Sequence, residues 1–183
     1  MNDEFHNLIK EICEKHNIKY NLISNGWVMV LEKNNIKEII VGYKFENNNH
    51  AIGKIFDDKY ATYELLNLYN IPVVEHSIVY SLSNKNEYAK KYNSAKYIEK
   101  LFNKYNEDIV IKENTGSGGK QVKRFNDLNE LTKYHIKIED NNSYSITPFY
   151  NIENEYRTII LNNQIKLMYK KELPVVYGDG RTK

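Results

Sequence analysis

Asp108 to Phe125 reads DIVIKENTGSGGKQVKRF. Apolar Ile109, Val110 and Ile111 deliver a single lysine, Lys112, and the chain then enters a loop that carries Gly116, Gly118 and Gly119 and ends on Lys120. Glycines let backbone N–H groups turn toward an anion and approach it closely, because no Cβ blocks the path and positive φ costs little. A strand that brings a cation and a glycine-rich cover to one place is suited to phosphate. The same loop can equally be a plain connection between two strands. Gln121 to Phe125 (QVKRF) alternates polar and apolar, which is the period of a strand and not of a helix. The stretch is therefore expected to be a hairpin whose tip folds over a nucleotide. Two better known phosphate motifs fail by position. Walker A needs glycine where Asn114 stands and Ser or Thr where Gln121 stands, and the dinucleotide and kinase loops need a third glycine at Gln121.

On the N-terminal side, Asp3 to His16 predicts an amphipathic helix capped by Asn2 or Asp3. Strands are expected at Lys19 to Ile23, Trp27 to Leu31 and Ile36 to Val41, the last two joined by a turn at Glu32-Lys33-Asn34-Asn35. Asp57 or Asp58 caps a helix running to Tyr69, stopped by Ile71-Pro72 because proline forces its predecessor out of helical geometry. Val73 to Tyr80 reads as a strand, and Asn86 to Tyr105 as one long helix with Ala89, Tyr92, Ala95, Ile98 and Phe102 on its apolar face. Beyond the hairpin come a helix near Asp127 to Tyr134 and strands at Tyr144 to Pro148, Tyr156 to Leu161 and Gln164 to Tyr169, with Asn162-Asn163 as a turn. Interleaved helices and strands place the chain in the α/β or α+β class with a largely antiparallel sheet.

The 183 residues are enough for one domain or two small lobes. Lys+Arg of 26 against Asp+Glu of 24 leaves a formal charge of +2 with no block of like charge, too balanced for a general nucleic-acid binder. The excess of Asn, Lys, Ile and Tyr matches the codon bias of an AT-rich genome, so Asn47-Asn48-Asn49 and Asn141-Asn142 are taken as solvated loops. The single cysteine, Cys13, shares a helical face with Phe5, Leu8, Ile9 and Ile12 and is expected to be a buried thiol. No apolar run approaches the roughly 20 residues of a membrane span, and no signal core follows Asp3 and Glu4, which points to a soluble, cytoplasmic protein.

Four segments in this order resemble the ATP-grasp superfamily, most closely the cyanophycin-synthetase and glutathione-synthetase type of ligase. They are AIGKIFDDKYATYELLNLYNIPVVEHSIV (Ala51 to Val79), DIVIKENTGSGGKQV (Asp108 to Val122), SITPFYNIENEYRTIILNNQ (Ser145 to Gln164) and KKELPVVYGDGRT (Lys170 to Thr182). The resemblance implies an N-terminal α/β segment over 1–72, a small nucleotide-covering lobe over 73–150 and the start of a C-terminal lobe over 151–183. It assigns ATP phosphate contacts to Lys59 and Lys112, and a phosphate-covering loop to Thr115, Gly116, Ser117, Gly118, Gly119 and Lys120. It assigns the adenine hinge to Ile146 through Tyr150, including Pro148, Phe149 and Tyr150. The ribose contact falls to Glu155, and catalytic cations that meet the phosphates or an acyl-phosphate fall to Arg157 and Lys170. Read without the resemblance, Lys59 is equally a first-turn surface lysine, Pro148 and Phe149 are equally core or turn residues, and surface ion pairs are the lesser alternative for Glu155, Arg157 and Lys170.

The activity implied is ATP-dependent joining of a carboxylate to an amine through an acyl-phosphate, with ATP and Mg²⁺ as cofactors and small amino-acid-like or peptide-like substrates. Neither nucleic acid nor membrane enters as a partner, and a homo-oligomer is compatible. The family's magnesium-holding acidic residues and Asn follow in its order after the last matched segment. Lys183 is therefore expected to end a truncated C-terminal lobe, which leaves an incomplete ATP-binding module as the alternative reading.

Overall fold

The computed structural model describes residues 3–138 and 143–172. The segment Leu173 to Lys183, most of the fourth family-like segment, the candidate cap Asn2 and the pair Asn141-Asn142 lie outside the described residues. The architecture is mixed α/β, and all the strand pairings are antiparallel. No helix among the described residues is long and apolar enough to cross a membrane.

The chain opens with α1 (Asp3–Lys15), followed by β1 (Lys19–Ile23), β2 (Val28–Lys33), β3 (Ile36–Val41) and β4 (Lys44–Phe45). These four strands form a meander in the order β1-β2-β3-β4. Its turns sit where asparagine tolerates the left-handed region: Asn34 and Asn35, at φ 51° and 65°, make a two-residue hairpin between paired Lys33 and Ile36. The expected four-residue turn is thus shorter, with Glu32 and Lys33 inside the strand. Helix α1 buries Ile9 and Cys13 against Met29 and Ile40, with Phe5, Ile18, Tyr20 and Leu31 packed around them. Leu8 and Ile12 remain exposed, so the buried stripe is narrower than the apolar periodicity predicts. Burial also pushes the Cys13 thiol up.

Two helices connect to the second sheet. The first, α2 (His50–Phe56), is capped by the Asn49 side chain on Ala51 N–H, and the second, α3 (Lys59–Leu68), by Asp58 on Ala61 N–H. The expected strand at Val73 contracts to β5 (Ser77–Tyr80). Its ladder with the later strand begins at Ser77, opposite Ile146, so Val73 to His76 lie ahead of the paired segment. The single long helix expected over 86–105 is two, α4 (Glu87–Lys90) and α5 (Ala95–Lys104). The break arises because Tyr80 N–H takes the carbonyl of Tyr92 at 3.1 Å, while Ser94 supplies a fresh cap to Tyr97 N–H. Ala95, placed on the apolar face by the single-helix reading, is exposed.

Next come β6 (Ile109–Glu113), β7 (Lys123–Phe125), α6 (Leu128–Lys137) and β8 (Ser143–Pro148). The second sheet has the order β5-β8-β6-β7. One face carries Val79, Ile109, Ile111, Phe125, Tyr144 and Ile146 against Ile98, Leu101, Phe102 and Tyr105 of α5 and Leu131 of α6. Each of these large side chains contributes about 1.5–3 kcal/mol through apolar burial, which makes this the larger core. Among the described residues, β9 (Glu155–Leu161) and β10 (Gln164–Lys171) pair only with each other, in a ribbon turned at Asn162 and Asn163. Every residue of both strands is exposed.

Candidate functional site

Strand β6 alternates between two environments. Ile109 and Ile111 enter the helix-covered core, so Val110 and Lys112 point to the opposite face. Residues directly opposite in an antiparallel ladder share a face. Lys112 lies opposite Ser145 on β8, and Ser145 lies opposite Ile78 on β5. Just before β5, His76 reaches the same place: its Nδ1 is 2.5 Å from Ser145 Oγ. Helix α3 lies over this face, with the Tyr63 ring centroid 6.1 Å from that of His76.

Lys59 opens α3, and its ammonium donates to three backbone carbonyls, those of Glu113 at 2.8 Å, Asn114 at 3.1 Å and Gly116 at 2.6 Å. An ammonium has three donors, so the Lys59 head is fully engaged in holding the start of the glycine-rich loop. Asn114 completes the clamp. Its carbonyl accepts from Lys59 N–H at 3.1 Å, its Oδ1 accepts from Tyr60 N–H at 3.0 Å, and its own N–H donates to Ser143 O at 2.9 Å. Asn114 is fully buried, and its Nδ2 has no hydrogen-bond partner among the described residues.

Lys112 is half-buried and, among the described residues, has neither a hydrogen bond nor an ion pair. Burial first, then the neighbouring Lys59, pull its pKa below the ordinary lysine value. Lys59 is also lowered, by burial, against the opposing pull of Glu113 and Asp58. His76 is held down to about 4 by burial and then by Lys112 and Lys59. Two lysines and an imidazole thus face one another on one side of a sheet, each destabilised in its cationic form. That arrangement favours any anion able to enter.

The loop beside them is shaped at Gly116, where a Cβ would stand 2.5 Å from Glu113 Oε2 and 2.8 Å from Glu113 Cβ. Gly118 and Gly119, at φ +69° and +71°, have nothing within 4 Å of a Cβ position, and Gln121 follows at φ 56°. Thr115, Ser117 and Lys120 are exposed. The loop therefore stands clear of the body of the protein, anchored at its first turn by Lys59. Gln121 belongs to this turn and not to the returning strand, which starts at Lys123.

The candidate hinge lies at the other end of the same strands. Pro148 is opposite Ile109, and Phe149 N–H donates to Asp108 O at 2.9 Å. The Arg124 guanidinium stacks 3.6 Å from the Phe149 ring centroid while its Nε and Nη2 donate to the Asp108 carboxylate at 2.8 and 2.7 Å. Tyr150 is exposed. From Lys112 to Ile109 is about 10 Å along the strand, and Pro148, opposite Ile109, lies on the helix-covered face, so of the candidate hinge pair it is Phe149, stacked on Arg124, that meets the Lys112 side of the sheet.

Glu155, Arg157 and Lys170 lie on the β9–β10 ribbon. Arg157 is opposite Tyr169 and Lys170 opposite Tyr156, so the two cations point to opposite faces. Lys170 pairs with Glu172 at 3.2 Å, and Glu155 is engaged by Lys171. The structure thus brings together Lys59, Lys112 and the loop from Thr115 to Gly119, and places Arg157 and Lys170 apart from one another. It also adds His76, Asn114 and Ser145, which sequence reasoning missed. The signal for His76 was the alternation His76-Ile78-Tyr80, but its meeting with Ser145 depends on a long-range strand register.

Mg²⁺ prefers several oxygen ligands, and among the described residues no group of three or more His, Cys, Asp or Glu side chains converges. The described residues do not form a metal cage. No protein-family model and no curated protein matches the chain.

Proposed function

We infer that this chain is the ATP-binding part of an ATP-grasp carboxylate-amine ligase, acting in the cytoplasm on small amino-acid-like or peptide-like substrates. The observation that carries this reading is Lys112: a half-buried ammonium with no acceptor among the described residues, set beside Lys59 and below a glycine-rich loop. A charge kept in that state costs stability unless a ligand repays it. In this reading Lys112 meets the phosphates, and the backbone N–H groups from Gly116 to Gly119 close over them. Lys59 acts mainly by fixing the loop, its donors being taken by carbonyls. Phe149, stacked on Arg124, would take the adenine ring, Pro148 would shape the hinge backbone beside it, and Glu155 would accept from the ribose hydroxyls. Phosphoryl transfer is mostly positioning and charge neutralisation, which cations and backbone amides supply.

The opposite facing of Arg157 and Lys170 favours a narrower second reading, in which this chain binds nucleotide and turns over nothing alone. The test is calorimetric titration of MgATP into the protein and into Lys112→Ala. The expected outcome is binding that the substitution weakens at least tenfold, about 1.4 kcal/mol, with the fold intact by circular dichroism. Equal affinity in both proteins, or no heat in either, would overturn the nucleotide reading. Binding without release of ADP on adding amino acids would select the narrower one.

A further inference from the structure

His76 has no part in the reading above, yet it shares a sheet face with Lys112 and joins its Nδ1 to Ser145, the residue opposite Lys112. Its other nitrogen, Nε2, has no hydrogen-bond partner among the described residues. We propose that His76 is a proton-coupled member of the anion site: when a phosphate group settles beside Lys112, a proton from solvent adds to Nε2, and the imidazolium then donates a hydrogen bond to that phosphate. This deepens the nucleotide reading and rests on it.

The electrostatic logic follows from the groups around the ring. Lys112 faces it from β6 and Lys59 from α3, and both oppose a third positive charge. Tyr63, also on α3, covers the ring face. The adjacent Glu75 is held by Lys104, and Glu113 and Asp58 act on Lys59. Among the described residues no carboxylate is therefore aimed at the imidazole, and the neutral form prevails. A phosphate reverses the sign of the local field, because its negative charge outweighs the lysine repulsion at hydrogen-bond distance. Ser145 suits both states, since its hydroxyl accepts from Nδ1–H in the neutral tautomer whose Nε2 is bare and again in the imidazolium. The coupling has a definite direction. Protonation on binding means that affinity rises as pH falls, through the bound-state pKa and down to the free-state value near 4.

The experiment is a pH titration of the imidazole Cε1–H resonances by NMR, free and saturated with MgATP, with His76→Gln used to assign the signal. The expected result is a His76 midpoint near 4 in the free protein that moves up by more than one unit in the complex. If it returns to about 6.5, the affinity of wild type relative to His76→Gln rises roughly eightfold between pH 7 and pH 5.5. A His76 midpoint that stays put while the loop amides of Gly116 to Gly119 respond to MgATP would overturn this proposal and leave nucleotide binding standing. Loop amides that do not respond would overturn both.

Discussion

The two four-stranded sheets of this protein are built from similar numbers of residues and treat polar groups differently. The meander β1-β2-β3-β4 closes over a small apolar core of Ile9, Cys13, Met29 and Ile40. The interleaved sheet β5-β8-β6-β7 has a larger core, and it also buries Ser77, Asn114, Ser145 and Thr147 on or beside its strands. Buried polar groups cost free energy unless they are paired. Stability alone gives no reason to bury Ser145 and Thr147 on the face of a sheet that also holds Lys112, a lysine with no partner among the described residues. The contrast separates a region organised for apolar packing from one that also buries polar groups beside a half-buried lysine.

Core truncation gives the largest effect and tests whether the second sheet dominates stability. Ile111→Ala should cost about 3–4 kcal/mol by urea denaturation, and Met29→Ala about 2–3 kcal/mol. If Met29→Ala proves the more damaging, the assignment of the main core to the second sheet is wrong. Acid should then separate the sheets. His76, at about 4, and His135, lowered mainly by burial, both belong to the second sheet region. Unfolded histidine takes up a proton near pH 6.5. Because the folded pKa values are depressed, stability is unaffected above that point and falls as pH drops from about 6.5 toward 4. For His76 the loss is roughly 2–3 kcal/mol at the lower limit, and His76→Gln should remove it. An acid midpoint unchanged by that substitution would break the link between the polar face and pH.

A smaller effect, of opposite sign, sharpens the comparison further. Lys112→Met should raise the stability of the ligand-free protein by about 1 kcal/mol, since it replaces a desolvated charge with an apolar chain, while abolishing MgATP binding. Destabilisation instead would mean that Lys112 has a structural partner. The smallest expected change lies in the meander, where Asn35→Ala forces a Cβ-bearing residue without a helpful polar side chain to φ 65° and should cost about 1 kcal/mol in thermal denaturation.

Much of this contrast could be read in the sequence, for reasons that differ by element. The hairpin Ile109 to Phe125 was legible because alternation, a lone lysine and clustered glycines are local signals. The cap at Asp57 or Asp58 and the start of a helix near Asp127 were legible in the same way, and Asp58 is the residue that caps. The division of residues 86–105 into two helices was not, because the cause is a distant carbonyl–amide pairing between Tyr92 and Tyr80. Lys59 was expected either to touch phosphate or to be a first-turn surface lysine, and it does open helix α3. That its ammonium is occupied by the carbonyls of Glu113, Asn114 and Gly116 could only come from three dimensions. Helix α2 lacked a clear apolar stripe and has no buried residue to mark it.

The strand order of the second sheet also has a consequence in time. In the meander each strand pairs with the one just synthesised, and a two-residue turn closes Lys33 onto Ile36. His76 and Ser145 are 69 positions apart, and β8 must insert between β5 and β6 before they meet. Loop closure over such a span has to be met before its contacts repay it. On a ribosome the meander can therefore zip while the rest of the chain is still being made. The cationic face has no existence until residue 148 has emerged, and Lys112 spends that interval fully hydrated, as an ordinary lysine.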